Sequence, residues 1–142
     1  MGTRSLTFVT EDHETPIICM YRQMDGYPEG MGKDLFEFLD GLVVTNGIGL
    51  GDGRRTANGA GCLAAQLVAR FKRGAGGIYL HTPKKFMDCG QEYEYVVNVS
   101  FDTRQIDVSV YNKPYDGRRK TLFTGSVEDY GIWLALHTKE VA

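Results

Sequence analysis

No stretch of this 142-residue chain approaches the roughly 20 consecutive apolar residues of a membrane-spanning helix, so no membrane partner is expected. Its first ten residues, MGTRSLTFVT, carry one arginine and a short alternating run instead of the apolar core of a signal peptide, which points to a cytoplasmic protein. Cysteine is scarce. Cys19, Cys62 and Cys89 are odd in number, widely spaced and without a C-x-x-C pair, excluding a disulfide framework and a zinc site of usual spacing. Excess positive charge is missing too: 16 Lys and Arg stand against 18 Asp and Glu, a formal charge of -2. No global field exists to hold a long nucleic acid, and anion recognition has to be local.

Catalytic signatures are equally thin. His13, His81 and His137 are scattered with no H-E-x-x-H spacing, no G-x-S-x-G elbow occurs, and Cys62 lies within a predicted helix, where a cysteine is usually a small buried hydrophobe. No cofactor and no metal is expected. Glu92 and Glu94 share one side of a predicted strand, where solvent-facing charge is the simpler reading.

What the chain has in surplus is glycine: 18 residues, about 13% of the chain against a usual 7%. With 42% hydrophobic residues this cannot signal disorder, so the glycines are positional. The length suits one domain with its own core.

Leu6, Phe8 and the run PIICMYR predict an N-terminal β-hairpin turning at EDHET. Leu35, Phe38 and Leu39 recur at helical spacing before Gly41, which is placed to stop a first short helix. A second helix begins at Asn58 as N-cap, lines one face with Leu63, Leu67 and Phe71, and ends in Arg70, Lys72 and Arg73 before Gly74. After the strand-like IYLH the period becomes two: Tyr93, Tyr95, Val97, Val99 and Phe101 on one strand, Ile106, Val108 and Val110 on the next, then TLFT. The C-terminal SVEDYGIWLALH predicts a short helix interrupted by Gly131. The whole predicts an α+β fold, an antiparallel sheet of N-terminal hairpin plus C-terminal meander with two main helices.

Three loops could carry binding chemistry. In NGIGLGDGRRTANGAG, residues 46–61, six glycines and Arg54 and Arg55 precede the second helix. Free helix-start amides at Asn58 and Gly59, with Thr56 beside them, suit a phosphate or carboxylate, and the arginines add charge-assisted contacts. Neither the Walker lysine nor the dinucleotide glycine spacing is present, and a solvated surface loop is the competing reading. In YRQMDGYPEGMG, residues 21–32, Arg22, Asp25 and Tyr27 concentrate polar and aromatic groups in one connection, which also reads as ordinary turn chemistry. The third loop, NKPYDGRRK, repeats the string DGRR, so Arg118 and Arg119 would complete a polyphosphate site if they met Arg54 and Arg55.

MGTRSLTFV, MYRQMDGYPEGMGKDL and NGAGCLAAQLVARFKRGAGGIYL together resemble a family of small phage and bacterial proteins that has no assigned activity. The resemblance covers most of the first 80 residues and implies a small intracellular accessory protein, phage-borne. The layout is also similar to that of phage anti-defence proteins, such as those directed against Thoeris, that sequester cyclic nucleotide or cyclic ADP-ribose signals. The expectation is a non-enzymatic, homo-oligomeric module holding a small anionic, nucleotide-type ligand. The alternatives are an adaptor or inhibitor docking a host protein through YRQMDGYP, and a small hydrolase using Asp25 or His81.

Overall fold

The computed structural model describes residues 2–47, 53–113 and 118–141. Its centre is a six-stranded sheet. β1 (Ser5–Glu11) and β2 (Ile18–Arg22) form the expected antiparallel hairpin, and β6 (Tyr93–Val99), β7 (Ile106–Asn112) and β8 (Lys120–Ser126) form the expected meander. The two halves join through a parallel pairing of β1 with β6, from Ser5 opposite Tyr93 to Glu11 opposite Val99. β5 (Ile78–His81) pairs with β2, far from the meander, giving the order β5-β2-β1-β6-β7-β8. All pairings in this sheet except β1 with β6 are antiparallel, and the fold is α+β.

Alternation along each strand sends residues to two different cores. Val9, Met20, Tyr95, Val97, Val99, Val108 and Val110 face the helices and are buried with them. Leu6, Phe8 and Cys19 face the other way, where Met87, Cys89 and Val96 pack against them. The 82–91 segment covers this second face.

Three helices lie against the first face. A single π turn over Pro28–Gly32 leads into α1 (Lys33–Leu39), which ends as expected before Gly41 at φ +77°. α2 (Gly59–Phe71) buries Leu63 and Leu67 completely, each contributing about 2 kcal/mol of hydrophobic stabilisation. The C-terminal segment is one helix of 15 residues, α3 (Val127–Val141), longer than the sequence suggests. Gly131 does not interrupt it. A Cβ there would stand 2.5 Å from a ring carbon of Phe36, so the glycine is where α1 packs closely on α3.

Two further departures bear on function. β3 (Val43–Thr45) and β4 (Thr56–Asn58) form a small parallel ladder that closes the base of the glycine-arginine loop. Phe101, expected on the strand, lies beyond the end of β6 and is exposed. At the outer strand β5, Lys72 Nζ donates to the carbonyls of Ile78 (2.7 Å) and Gly76 (3.1 Å). No helix among the described residues is long and apolar enough to cross a membrane.

Candidate functional site

Where β2 ends, the chain enters the connection to α1, which is held by backbone contacts. Gly26 donates its amide to the Thr3 carbonyl (2.9 Å) and accepts the Tyr95 hydroxyl at its own carbonyl (2.7 Å). Tyr130 of α3 donates to the Gly32 carbonyl (2.7 Å), and the Asp25 carbonyl accepts from the Met31 amide (2.7 Å). Asp25 itself sits at φ +58°, a conformation that aspartate tolerates better than most residues. Gly26 is required for packing, because a Cβ there would lie 2.7 Å from that of Ser5.

This anchored connection forms one wall of a cleft of about 580 Å³. Arg22 and Asp25 line it, joined by Asp34 and Glu37 of α1 and by Arg70, Phe71 and Arg73 at the far end of α2. Gly76 and Gly77, both at positive φ, complete the rim with backbone. Arg22 is held in place: its Nη1 donates to Asp34 Oδ2 at 2.8 Å and its Nε to the Met24 carbonyl at 2.8 Å. Arg70 and Arg73 form no ion pair among the described residues. Tyr27 is adjacent, donating its hydroxyl to Asp25 Oδ1 at 3.0 Å, and that bond to a carboxylate raises the phenol above its ordinary value.

The glycine-arginine loop sits elsewhere. α2 separates Asn58 and Gly59 from Arg70 and Arg73 by roughly 18 Å at 1.5 Å per residue. Arg22 and Asp25 are therefore not brought together with the helix start, contrary to the single pocket that the sequence suggests. Arg55 donates to the Asp40 carbonyl at 2.7 Å, covering the last carbonyls of α1, whose negative dipole end favours a cation. Arg54 also has an interaction partner. Asn58 occupies the N-cap position, but its Oδ1 accepts the Gly47 amide (2.8 Å) and makes no cap bond. The Thr56 carbonyl accepts from Gln66 (2.9 Å), and Gly59 opens α2 at φ +79°. Residues 48–52, including Asp52 of the first DGRR string, lie outside the described residues.

Of the second DGRR string, Arg119 is on the other side of the sheet. Arg119 reaches the sheet face away from the helices, where its Nε meets Glu94 Oε1 at 2.6 Å and its guanidinium lies 3.8 Å from the Tyr111 ring centroid. Gln91 also donates to Glu94 (2.8 Å). Glu94 is thus a buried, paired carboxylate, only 4% exposed, and not the solvent-facing charge expected. The sheet stands between Arg119 and Arg55, so within one chain the two arginine clusters do not converge. Arg118 has a partner of its own, and 114–117 lie outside the described residues. His81, a residue of the hydrolase reading, packs edge-on against Tyr21 (5.5 Å) and does not line the cleft.

Sequence reasoning missed Arg70 and Arg73 as site residues by assigning them to the helix dipole. Arg70 is in the last turn of α2, and Arg73 follows its extended C-cap residue, Lys72, so helical spacing does not relate the two. Nothing in the sequence indicated that β2 would end beside them. No group of three or more histidine, cysteine or acidic side chains able to hold a metal occurs among the described residues. No family model, curated protein or solved structure matches the chain.

Proposed function

We propose that the protein is a non-enzymatic binding module that holds a small anionic ligand of nucleotide type in the cleft between β2, α1 and the end of α2. The observation that carries this reading is the pair Arg70 and Arg73, two guanidinium groups without ion-pair partners among the described residues, on a cleft of ligand size. Phosphate recognition of this kind favours arginine, whose planar fork donates two parallel hydrogen bonds. The cleft also contains Asp25, Asp34 and Glu37, which argue against a bare polyphosphate. A nucleotide answers both charges: its phosphate suits Arg70 and Arg73, while the exocyclic amine of adenine or cytosine suits a carboxylate acceptor. Phe71 offers an apolar surface for the base.

The test is calorimetry against mononucleotides, cyclic nucleotides, cyclic ADP-ribose isomers and pyrophosphate. The expected result is saturable binding of an amino-bearing nucleotide with pyrophosphate weaker, lost by about tenfold or more in Arg70→Ala with Arg73→Ala. Arg54→Ala with Arg55→Ala leaves it intact. Binding that survives the first pair and fails with the second would return the site to the start of α2. Binding by no member of the panel would overturn the reading altogether.

A further inference from the structure

We propose that the chain self-associates head to tail, the exposed Lys84-Lys85-Phe86 tip of one copy seating in an acidic, apolar groove of a second. The groove, about 980 Å³, lies between α1, α3 and the start of β7 and shares no lining residue with the cleft. Phe36 and Ile106, from the flank of the helix-side core, line it together with Val43 and Ile132. Along α3 the lining residues Glu128, Gly131, Ile132 and Ala135 recur at the spacing of one helix face, which Leu136 prolongs one turn beyond Ile132. Ile132 and Leu136 are 55% and 60% exposed. Contiguous apolar surface with a polar rim marks a place of contact with another protein.

The charge of the rim selects the occupant. Asp40 at the end of α1, Asp107 on β7 and Glu128 in the first turn of α3 form no ion pair among the described residues, and Arg104 is the one cation of the lining. Asp107 stands opposite Ser126, which brings it beside the start of α3. Arg55 binds the main-chain carbonyl of Asp40 and lines no part of the groove. Three carboxylates against one guanidinium, around an apolar floor, suit an apolar head flanked by cations. The chain itself presents one. Phe86 is 81% exposed at φ +61°, a region that a bulky residue rarely adopts, and the adjoining Lys84 and Lys85 are exposed and form no ion pair among the described residues. Glu14, which lines a small cavity with Lys85 and Phe86, offsets one of the two lysines, and Asp88 is taken by Lys113, so the tip stays positive. The tip belongs to the segment that covers the sheet face away from the helices, whereas the groove is on the helix side. One copy therefore cannot fill its own groove, and the contact is heterologous, closing into a ring or running on as an open chain.

Sedimentation equilibrium of the full chain, from about 10 μM to about 1 mM, tests this. The weight-average mass should rise with concentration, with a Kd on the order of 100 μM, as suits a contact built on one ring and a few charges. Lys84→Glu with Lys85→Glu, and separately Asp40→Lys with Glu128→Lys, should each weaken association by about tenfold or more, and Phe86→Ser should do the same through the lost ring. All five positions are exposed, so the fold tolerates these changes. An equimolar mixture of the two charge-reversed variants should regain association, because each supplies the charge that the other now needs. A chain that stays monomeric to about 1 mM would leave the groove to a foreign partner. Association indifferent to either charge reversal, or a mixture no tighter than its components, would put the contact elsewhere. Each of these results would overturn the proposal.

Discussion

The Thr7 hydroxyl is fully buried on the helix side of β1 and has no hydrogen-bond partner among the described residues, and Ser5 two residues earlier shares the condition. An unsatisfied buried hydroxyl costs about 1–3 kcal/mol, whereas a methyl of similar size in its place costs nothing in hydration. Thr7→Val should therefore raise stability by about 1 kcal/mol, read as a higher urea midpoint at unchanged slope. A lower midpoint would mean that the hydroxyl is satisfied and the argument wrong. Single residues were legible in the sequence where their meaning is local. Gly41 and Gly74 both adopt the positive φ that their places after helical runs suggested. Glu94 was not legible, since its burial depends on Arg119 arriving from the next-but-one strand.

Elements were readable in proportion to their length. The seven-residue alternations of β6 and β7 and the apolar face of α2 exceed anything that chance supplies, and each appears close to where the periodicity put it. The three-residue β3 and β4 carry no period at all, so the loop between them read as a simple approach to α2. α3 was underestimated because a glycine within a helical run costs about 1 kcal/mol in propensity and looks like a stop. Its gain is tertiary and invisible to a local reading. Gly131→Ala should accordingly destabilise the protein by about 1–3 kcal/mol through collision with the Phe36 ring, despite the better helix propensity of alanine. A thermal midpoint that rises instead would show that α1 can retreat from α3 at no cost. The candidate cleft follows the same logic: the residues of its β2 wall were legible as a motif, while Arg70 and Arg73 required knowing which helix end lies beside it.

At the level of the whole molecule, the parallel pairing of β1 with β6 matters most, and the sequence could not announce it. Thr10 and Asn98, bonded across that junction at 2.7 Å, are 88 residues apart. Because these two strands contribute to both cores, the cores should come apart together. Alkaline titration follows the first of them, to which the buried Tyr95 and Tyr130 belong. Burial raises the phenols of Tyr95 and Tyr130 above the ordinary value of 10.0, so the folded chain holds them neutral. Below about pH 10 both states keep these protons and stability is unaffected; above it the unfolded chain ionises first, and stability falls as pH rises toward the folded values. Two phenolates should thus be missing from the absorbance titration until the molecule unfolds, and should appear together with the fluorescence change of Trp133, which stacks on Tyr130. Phenolates that appear before the tryptophan responds would separate β6 or α3 from the rest.

A sheet of this kind has two rims, and Lys72 stands guard at one of them. By donating to the Ile78 carbonyl it occupies an acceptor at the start of the outermost strand, on a segment where Tyr79 and Leu80 are both exposed. A neighbouring molecule seeking to extend the sheet would have to displace a charged amine before forming its first bond. Neutralising that amine, as in Lys72→Gln, should free the acceptor and lower the solubility of the concentrated protein.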